Sequence, residues 1–421
     1  MMTNSDNRAA ASAGGALGDL CVVELAAFIA APLAGMTLAQ LGVEVIKIEP
    51  IGGSFDAGRW PLSPSGASLY WTALNKGKRS VAIDLRKKEG AELAAALIAA
   101  GGQGGGMFLT NLPARAPLDF DSLAARRPDV IMASILGSSD GSTAVDYTIN
   151  CATGLPDVTG PASHQGPVNH VLPAWDAITA MSIVNAILVA ERHRRVTGAG
   201  QLVRMALSDV AFATMANLGF TPEAETGGVR ERIGNDLYGA FGRDFVLADG
   251  RRIMIVAITA RQWEGLVAAT GIADAVRAIE EARGLDLSDE GDRFRARDDI
   301  APLIQAWCAT HTLDTAKDIL TKHGVCWGPY QTIRQLVTED ARFSEGNPIF
   351  RRIHQPGIGD ILTPGFPGRF SNLATPQQRP APALGVDTRA VLHTRLGLAM
   401  GEIDGLAKHG VIRVGAPGTG D

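Results

Sequence analysis

Between Leu20 and Leu207 short β-branched runs alternate with amphipathic stretches, and few architectures satisfy that pattern. Residues 21–25 read as a strand, and 32–41 as a helix with proline in its first turn and Gly42 just past its end. Strands follow at 43–48, 81–85, 107–110 and 130–136, with a helix at 89–100. A long apolar helix at about 177–195 leads to another strand at 201–207. Strands joined by helical crossovers run parallel, so this alternation predicts a largely parallel sheet covered on both faces.

At 421 residues the chain exceeds one ordinary core, and we expect two domains. Residues 1–18 are rich in Ala, Gly, Ser and Asn and lack the basic, apolar, small-residue order of a signal peptide, so they read as a loose tail. Residues 19–220 form the first part of a large domain. Residues 221–235 have no apolar period and suit a linker, while 236–335 look like a smaller α/β domain. Residues 336–421 return to the large domain, Pro- and Gly-rich over 348–382, with a last helix near 388–396. The long apolar helix carries Asp176 near its start and Glu191, Arg192, His193, Arg194 and Arg195 at its end, so a membrane span is not expected. Four cysteines without paired spacing suit a reducing cytoplasm and offer no zinc pattern. A formal charge of -5 argues against a nucleic-acid binder, so an anionic ligand would need a local basic cluster.

Such a cluster exists. Asn75, Lys76, Gly77, Lys78, Arg79 and Ser80 place three cations before a strand, which serves as either a solvated loop or a phosphate clamp. Asn111, Leu112 and Arg115 follow the next strand, where ligands of open α/β sheets sit. Two other motifs fail on context. Gly101 to Gly106 follows a helix and precedes a strand, the wrong order for a pyrophosphate loop, and no G-x-x-x-x-G-K-[ST] is present. Gly137 to Gly141 is a literal G-x-S-x-G around Ser139, but 142–150 does not start like a helix, so a serine thioesterase lacks its strand-to-helix elbow. Asp146 stands among uncharged neighbours as a helix cap or a functional group, and Asp176 reads as the cap of the long helix.

Taken in order and spacing, these segments resemble the class III CoA-transferase family. Carrying the resemblance are Ala30-Ala31-Pro32, Leu38-Ala39-Gln40-Leu41-Gly42, Val45-Ile46-Lys47-Ile48-Glu49-Pro50, the run from Asn75 to Ser80, Asn111-Leu112-Pro113 and Gly198-Ala199-Gly200-Gln201. The segments around Phe28 to Leu33, Val145 to Thr148, Asn169 to Asp176 and Tyr238 to Phe245 are similar to the family's intramolecular members. Those enzymes move CoA between the two carboxyl groups of one unsaturated C5 dicarboxylate.

The resemblance implies an α/β fold: a Rossmann-like large domain with a mainly parallel sheet, a smaller α/β domain, and two such chains interlocked as a homodimer. It implies Asp146 as the carboxylate that accepts the acyl group, first as an anhydride and then as a CoA thioester. It further implies CoA binding by Phe28, Ile29, Ala30, Asn75, Lys76, Lys78, Arg79, Asn111, Leu112 and Arg115, with His170 and Arg243 grasping the second carboxylate. No metal and no cofactor beyond the CoA of the substrate are implied. Pro50 stands where many relatives place a basic residue, and Val145 where racemases of the family carry His. The alternatives are an intermolecular transferase using another dicarboxylate, a serine thioesterase on Ser139, and a CoA-binding protein without turnover.

Overall fold

The computed structural model describes residues 17–102, 104–374 and 376–415; of the expected tail, residues 1–16 lie outside the described residues. Two compact units emerge, one built from residues up to Thr153, Val171–Thr221 and the chain from Ala341, the other from Gly154–His170 and Pro222–Asp340.

The first unit is organised by six parallel strands: β1 (Cys21–Leu25), β2 (Glu44–Glu49), β3 (Arg79–Ile83), β4 (Met107–Thr110), β5 (Ile131–Leu136) and β6 (Gln201–Ala206). They stand in the order β3-β2-β1-β4-β5-β6, and Ile412–Arg413 pairs antiparallel on the outer edge of β3. Helices on the faces bury both sides, which is why Val23, Ile46, Val81, Phe108 and Met132 belong to one continuous core. The order reverses between β1 and β4, and the loops leaving their carboxyl ends open a crevice there.

One long helix, Ala174–Thr197, closes this unit and ends at Gly198, whose left-handed backbone a side chain would disfavour. By length and composition it could cross a membrane, yet Trp175, Thr179, Ile183, Ile187 and Ala190 form a buried stripe against the Ala30–Gln40 helix and β5 and β6. It is a helix lying on a sheet. A short helix also forms at Asp146–Ala152, where the sequence pattern shows no start. Thr148 supplies the missing signal from inside the helix, its Oγ1 accepting the Val145 N–H at 3.0 Å. The Pro- and Gly-rich return contains a hairpin of Phe350–Gln355 and Gly359–Pro364, and the last expected helix appears at Thr388–Leu396.

The second unit holds a three-stranded antiparallel sheet, Phe241–Val246, Arg252–Ala257 and Cys326–Pro329, around a core that includes Phe241, Phe245, Trp263 and Ile300. Residues 154–170, expected in the large domain, fold with this unit instead. Arg232 donates to the carbonyls of Asp157 and His164, and the Gly234 N–H to Gly160 O, bonds between segments some seventy residues apart that no local pattern announces.

Candidate active site

Beyond β5 the chain enters the short helix whose first residue, Asp146, is 3% exposed. Its Oδ2 accepts the backbone N–H of Trp175 at 2.8 Å and of Asp176 at 3.0 Å. These are amides that a helix start leaves without internal partners, and Pro173 at the cap position offers no side-chain acceptor. A carboxylate at the positive end of a 24-residue helix is favoured by the helix dipole as well. Trp175 Nε1 donates to Asn150 Oδ1 at 3.2 Å and fastens the two helix starts together. The other Asp146 oxygen, Oδ1, is sealed from solvent. Asp146 Oδ2 thus serves as a remote cap of the long helix, while Oδ1 has no hydrogen-bond partner among the described residues and the residue also lines the cavity that holds Asp176.

Asp176 shares that cavity but is less buried. It is partly exposed and lines the cavity, of about 430 Å³ at the carboxyl end of the sheet, together with Phe28, Arg59, Tyr70, Asn111 and Tyr147. Burial pushes its carboxyl up to about 7, and the neighbouring charge of Asp146 adds to the rise. The Ala30 amide and the Arg59 guanidinium pull in the other direction. A carboxylate half ionised near neutrality, in a partly enclosed cavity, is a more basic nucleophile than a fully solvated one. The expectation from sequence put Asp146 at the reaction and Asp176 at the cap; both line the cavity, and it is Asp146 that accepts the two amides at the start of the long helix.

The loop after β1 forms one wall of the cavity. Phe28 sits at φ 65°, an unfavourable region for a bulky residue, and its N–H is held by Asp56 Oδ2 at 2.7 Å. Asn111, after β4, bridges the crevice: Oδ1 accepts the Ala27 N–H at 3.1 Å and Nδ2 donates to Ala27 O at 2.8 Å. The Arg59 guanidinium lies 5.4 Å from the Phe28 ring centre and 4.8 Å from that of Tyr70. Tyr70 Oη is enclosed with no hydrogen-bond partner among the described residues, and burial pushes the phenol up to about 12. It remains a proton donor across the physiological range. Arg59, Tyr70 and Asp56 have no motif of their own in the sequence, and only the folded chain brings them to the carboxylate.

A second cavity, of about 340 Å³, opens beside the first and is lined by Phe55, Leu85, Leu112, Pro113 and Arg115. Phe28, Ile29, Ala30 and Asn111 therefore meet at the Asp176 cavity, and Leu112 and Arg115 at its neighbour. The basic run behaves differently from the phosphate clamp expected of it. The Lys78 ammonium is buried and donates to Pro32 O at 2.9 Å and Asn75 Oδ1 at 2.8 Å, with Glu24 Oε2 2.8 Å away, so its three protons face inward. Asn75, also buried, completes its bonding on Trp71 O. Arg79 pairs with Glu44 at 2.6 Å and Asp387 at 3.3 Å. Lys76 donates to Thr363 Oγ1 at 2.6 Å, and burial lowers its ammonium to about 8. Charge in the sequence marks these residues as polar but does not say which way they point.

His170 and Arg243 belong to the second unit. The His170 Nδ1 is enclosed without a hydrogen-bond partner among the described residues. Arg243 is paired with Asp236 and, at 2.8 Å, with Asp298, so a substrate carboxylate would share a guanidinium already engaged on two sides. Ser139 lies exposed in a turn, and the next helix begins only at Asp146, so the elbow of a serine hydrolase is absent.

The model of CoA-transferase family III matches residues 17–388. The chain belongs to this family. Within it, 2-methylfumaryl-CoA isomerase of Chloroflexus aurantiacus is 48% identical over 94% of this chain and 98% of its own. Succinyl-CoA–D-citramalate CoA-transferase of the same organism is 28% identical over 91% of this chain and 94% of its own. Among solved structures, a CaiB/BaiF family protein from Brucella suis has a TM-score of 0.72 and 27% identity, over 89% of this chain and 98% of that one.

Proposed function

We propose that this chain moves CoA between the C1 and C4 carboxyl groups of 2-methylfumaryl-CoA, with the Asp176 carboxylate as the transient acyl acceptor. The observation that carries the residue assignment is the division of labour between the two aspartates that line the cavity: Asp146 is buried with Oδ2 engaged by two helix amides, whereas Asp176 is partly exposed there. The 48% identity to an isomerase of that name, over nearly the whole of both chains, supports the substrate.

In the first step an Asp176 oxygen attacks the thioester carbonyl, the C–S bond breaks, and CoA leaves as a thiolate beside a mixed anhydride. The thiolate then attacks the aspartyl carbonyl of that anhydride. The diacid departs as a carboxylate, leaving Asp176 as a CoA thioester. Next the diacid turns end for end and its other carboxylate attacks this thioester, regenerating thiolate and a second anhydride. Attack of the thiolate on the substrate-side carbonyl restores Asp176 and completes the isomer. Atoms balance without any free acid acceptor, and nothing beyond the CoA of the substrate is required.

Holding the carboxylate against the carbonyl makes each attack effectively unimolecular, a gain of about 7 to 11 kcal/mol in ideal geometry. Tyr70 is suited to donate to the oxyanion that develops at each attack, since its hydroxyl has no competing partner. Arg59 supplies a cation for the free carboxylate of the diacid while its other end reacts. The neighbouring cavity, apolar with Arg115 on its wall, suits part of the CoA moiety. We also infer a homodimer, supported by Val189 and Val196, exposed by 68% and 64% on the long helix of the first unit, and by Leu218, exposed by 67% just past the helix that ends at Asn217. Four free thiols fit a cytoplasmic location.

The test is incubation of the purified protein with 2-methylfumaryl-CoA and no added acid, followed by chromatography of the two isomers. Equilibration of the isomers is expected, together with its loss in Asp176→Ala. A strict requirement for an added dicarboxylate would replace the intramolecular reading with the intermolecular one, and full activity of Asp176→Ala would remove the nucleophile.

A further inference from the structure

Beneath the loop that walls the Asp176 cavity lies a group of charges that the reaction does not touch. Glu24 on β1 stands opposite Lys47 on β2 in the parallel register, and both are fully buried. Lys47 Nζ donates to Glu24 Oε1 at 3.0 Å, and Lys78 Nζ reaches the same carboxylate from β3's leading turn, 2.9 Å from Oε1. Taking three charges out of water is costly, and well-packed apolar residues commonly give equal or greater stability. Their placement offers a reason for them. Each lysine also donates to one backbone carbonyl: Lys47 to Ala26 O at 2.8 Å, Lys78 to Pro32 O at 2.9 Å. Those two carbonyls bracket the segment 26–32, and Ala30 within it directs its amide at the Asp176 carboxylate.

We propose that the Lys47–Glu24–Lys78 triad is a positioning device for the acyl-accepting carboxylate, pinning both ends of the 26–32 loop so that the Ala30 amide holds Asp176 in its attacking orientation. Glu24 is the centre of the device because one carboxylate sets the distance between two ammonium groups, and through them the distance between two carbonyls. Asn111 and Asp56 fix the middle of the same loop from the opposite side, at Ala27 and Phe28. Gly35 makes room for the arrangement: a Cβ there would come within 1.9 Å of Glu24 Oε2.

The inference rests on Asp176 being the nucleophile, and the two ideas fail separately. Two variants disturb the triad without touching any residue at the reaction. Gly35→Ala retains every charge and displaces the Glu24 carboxylate, the far end of a flexible side chain, so the fold can absorb it. Glu24→Met/Lys47→Met/Lys78→Met, combined with Glu49→Gln because that buried carboxylate has both lysines as its cationic neighbours, removes the charges together. Circular dichroism and thermal melting establish folding, calorimetry gives the CoA dissociation constant, and the pH profile of kcat gives the Asp176 midpoint. The titratable and charged groups facing that carboxylate are Asp146, Arg59 and Tyr70, all unchanged in both variants.

With the Ala30 amide displaced, kcat is expected to fall about tenfold or more through lost orientation, a larger factor than any loss of CoA affinity through Ala26 and Ala27, which line the neighbouring cavity. The acid limb should move to higher pH by about half a unit, because the lost amide favoured the charged carboxylate. Wild-type kcat with an unmoved acid limb in either folded variant overturns the proposal. So does a fall in kcat matched by an equal loss of CoA affinity with the limb in place, which is the signature of a merely structural role. Full activity of Asp176→Ala instead overturns the nucleophile assignment on which the proposal rests.

Discussion

Replacing Asp176 with asparagine should stabilise the folded protein above neutrality and leave it almost unchanged in acid. Burial and the charge of Asp146 carry the Asp176 carboxyl from its ordinary 3.8 to about 7. In that interval the folded state holds a proton that the unfolded chain has already lost, so stability falls as pH rises from about 4 to about 7. The full rise corresponds to roughly 4 kcal/mol at 1.36 kcal/mol per tenfold change in acidity. Partial exposure of the side chain lets water screen it, which brings the expected gain to about 2 to 3 kcal/mol. Asparagine keeps the size of the carboxyl and discards the charge. The gain should be complete above pH 7, decline below it, and vanish near pH 4. Urea unfolding of both proteins, followed by tryptophan fluorescence at pH 8 and pH 4.5 and at equal protein concentration, measures it directly. An equal effect at both pH values, or no gain at pH 8, would refute the argument that the folded state strains this carboxylate. The strain has a functional counterpart, since the environment that disfavours the charge also makes the oxygen more basic toward a thioester.

The same titration governs turnover: the nucleophile acts ionised, so kcat should fall about tenfold per pH unit below about pH 7, and a flat profile from pH 5.5 to 8 in the isomerisation assay would contradict it. Asp146→Asn removes the like charge beside Asp176, so the acid limb should shift to lower pH. The weakened cap should cost about 1 to 3 kcal/mol in thermal or urea unfolding, with turnover reduced and still measurable; an unmoved limb argues against their coupling. Tyr70→Phe should lower kcat about a hundredfold while calorimetry finds CoA affinity unchanged, and a wild-type kcat would exclude the phenol as oxyanion donor.

Much of the fold is legible in the residues themselves. The alternation of β-branched runs with amphipathic stretches calls for a parallel sheet with helices on its faces, and six parallel strands form. Proline at the start of the first helix and Gly198 after the long one mark boundaries because their allowed backbone angles do so wherever they occur. The ordered segments from Ala30 to Gln201 likewise carry the family, and with it the expectation of CoA chemistry on an aspartate.

Which aspartate was a different kind of question. Asp146 and Asp176 are 30 residues apart in sequence, each begins or nearly begins a helix, and local pattern allows either to be the cap. Which of them accepts the amides of the long helix depends on where those amides point, and that follows from how the short helix docks on the long one. The basic run from Lys76 to Arg79 shows the same limit, since Lys78 turned inward to Glu24 and away from solvent only because β1, β2 and β3 lie side by side. Composition and periodicity state what a residue is and which face of its own element it occupies. Whether a charge meets water, a substrate or another buried charge depends on which distant segment packs against it, and only the tertiary structure decides that.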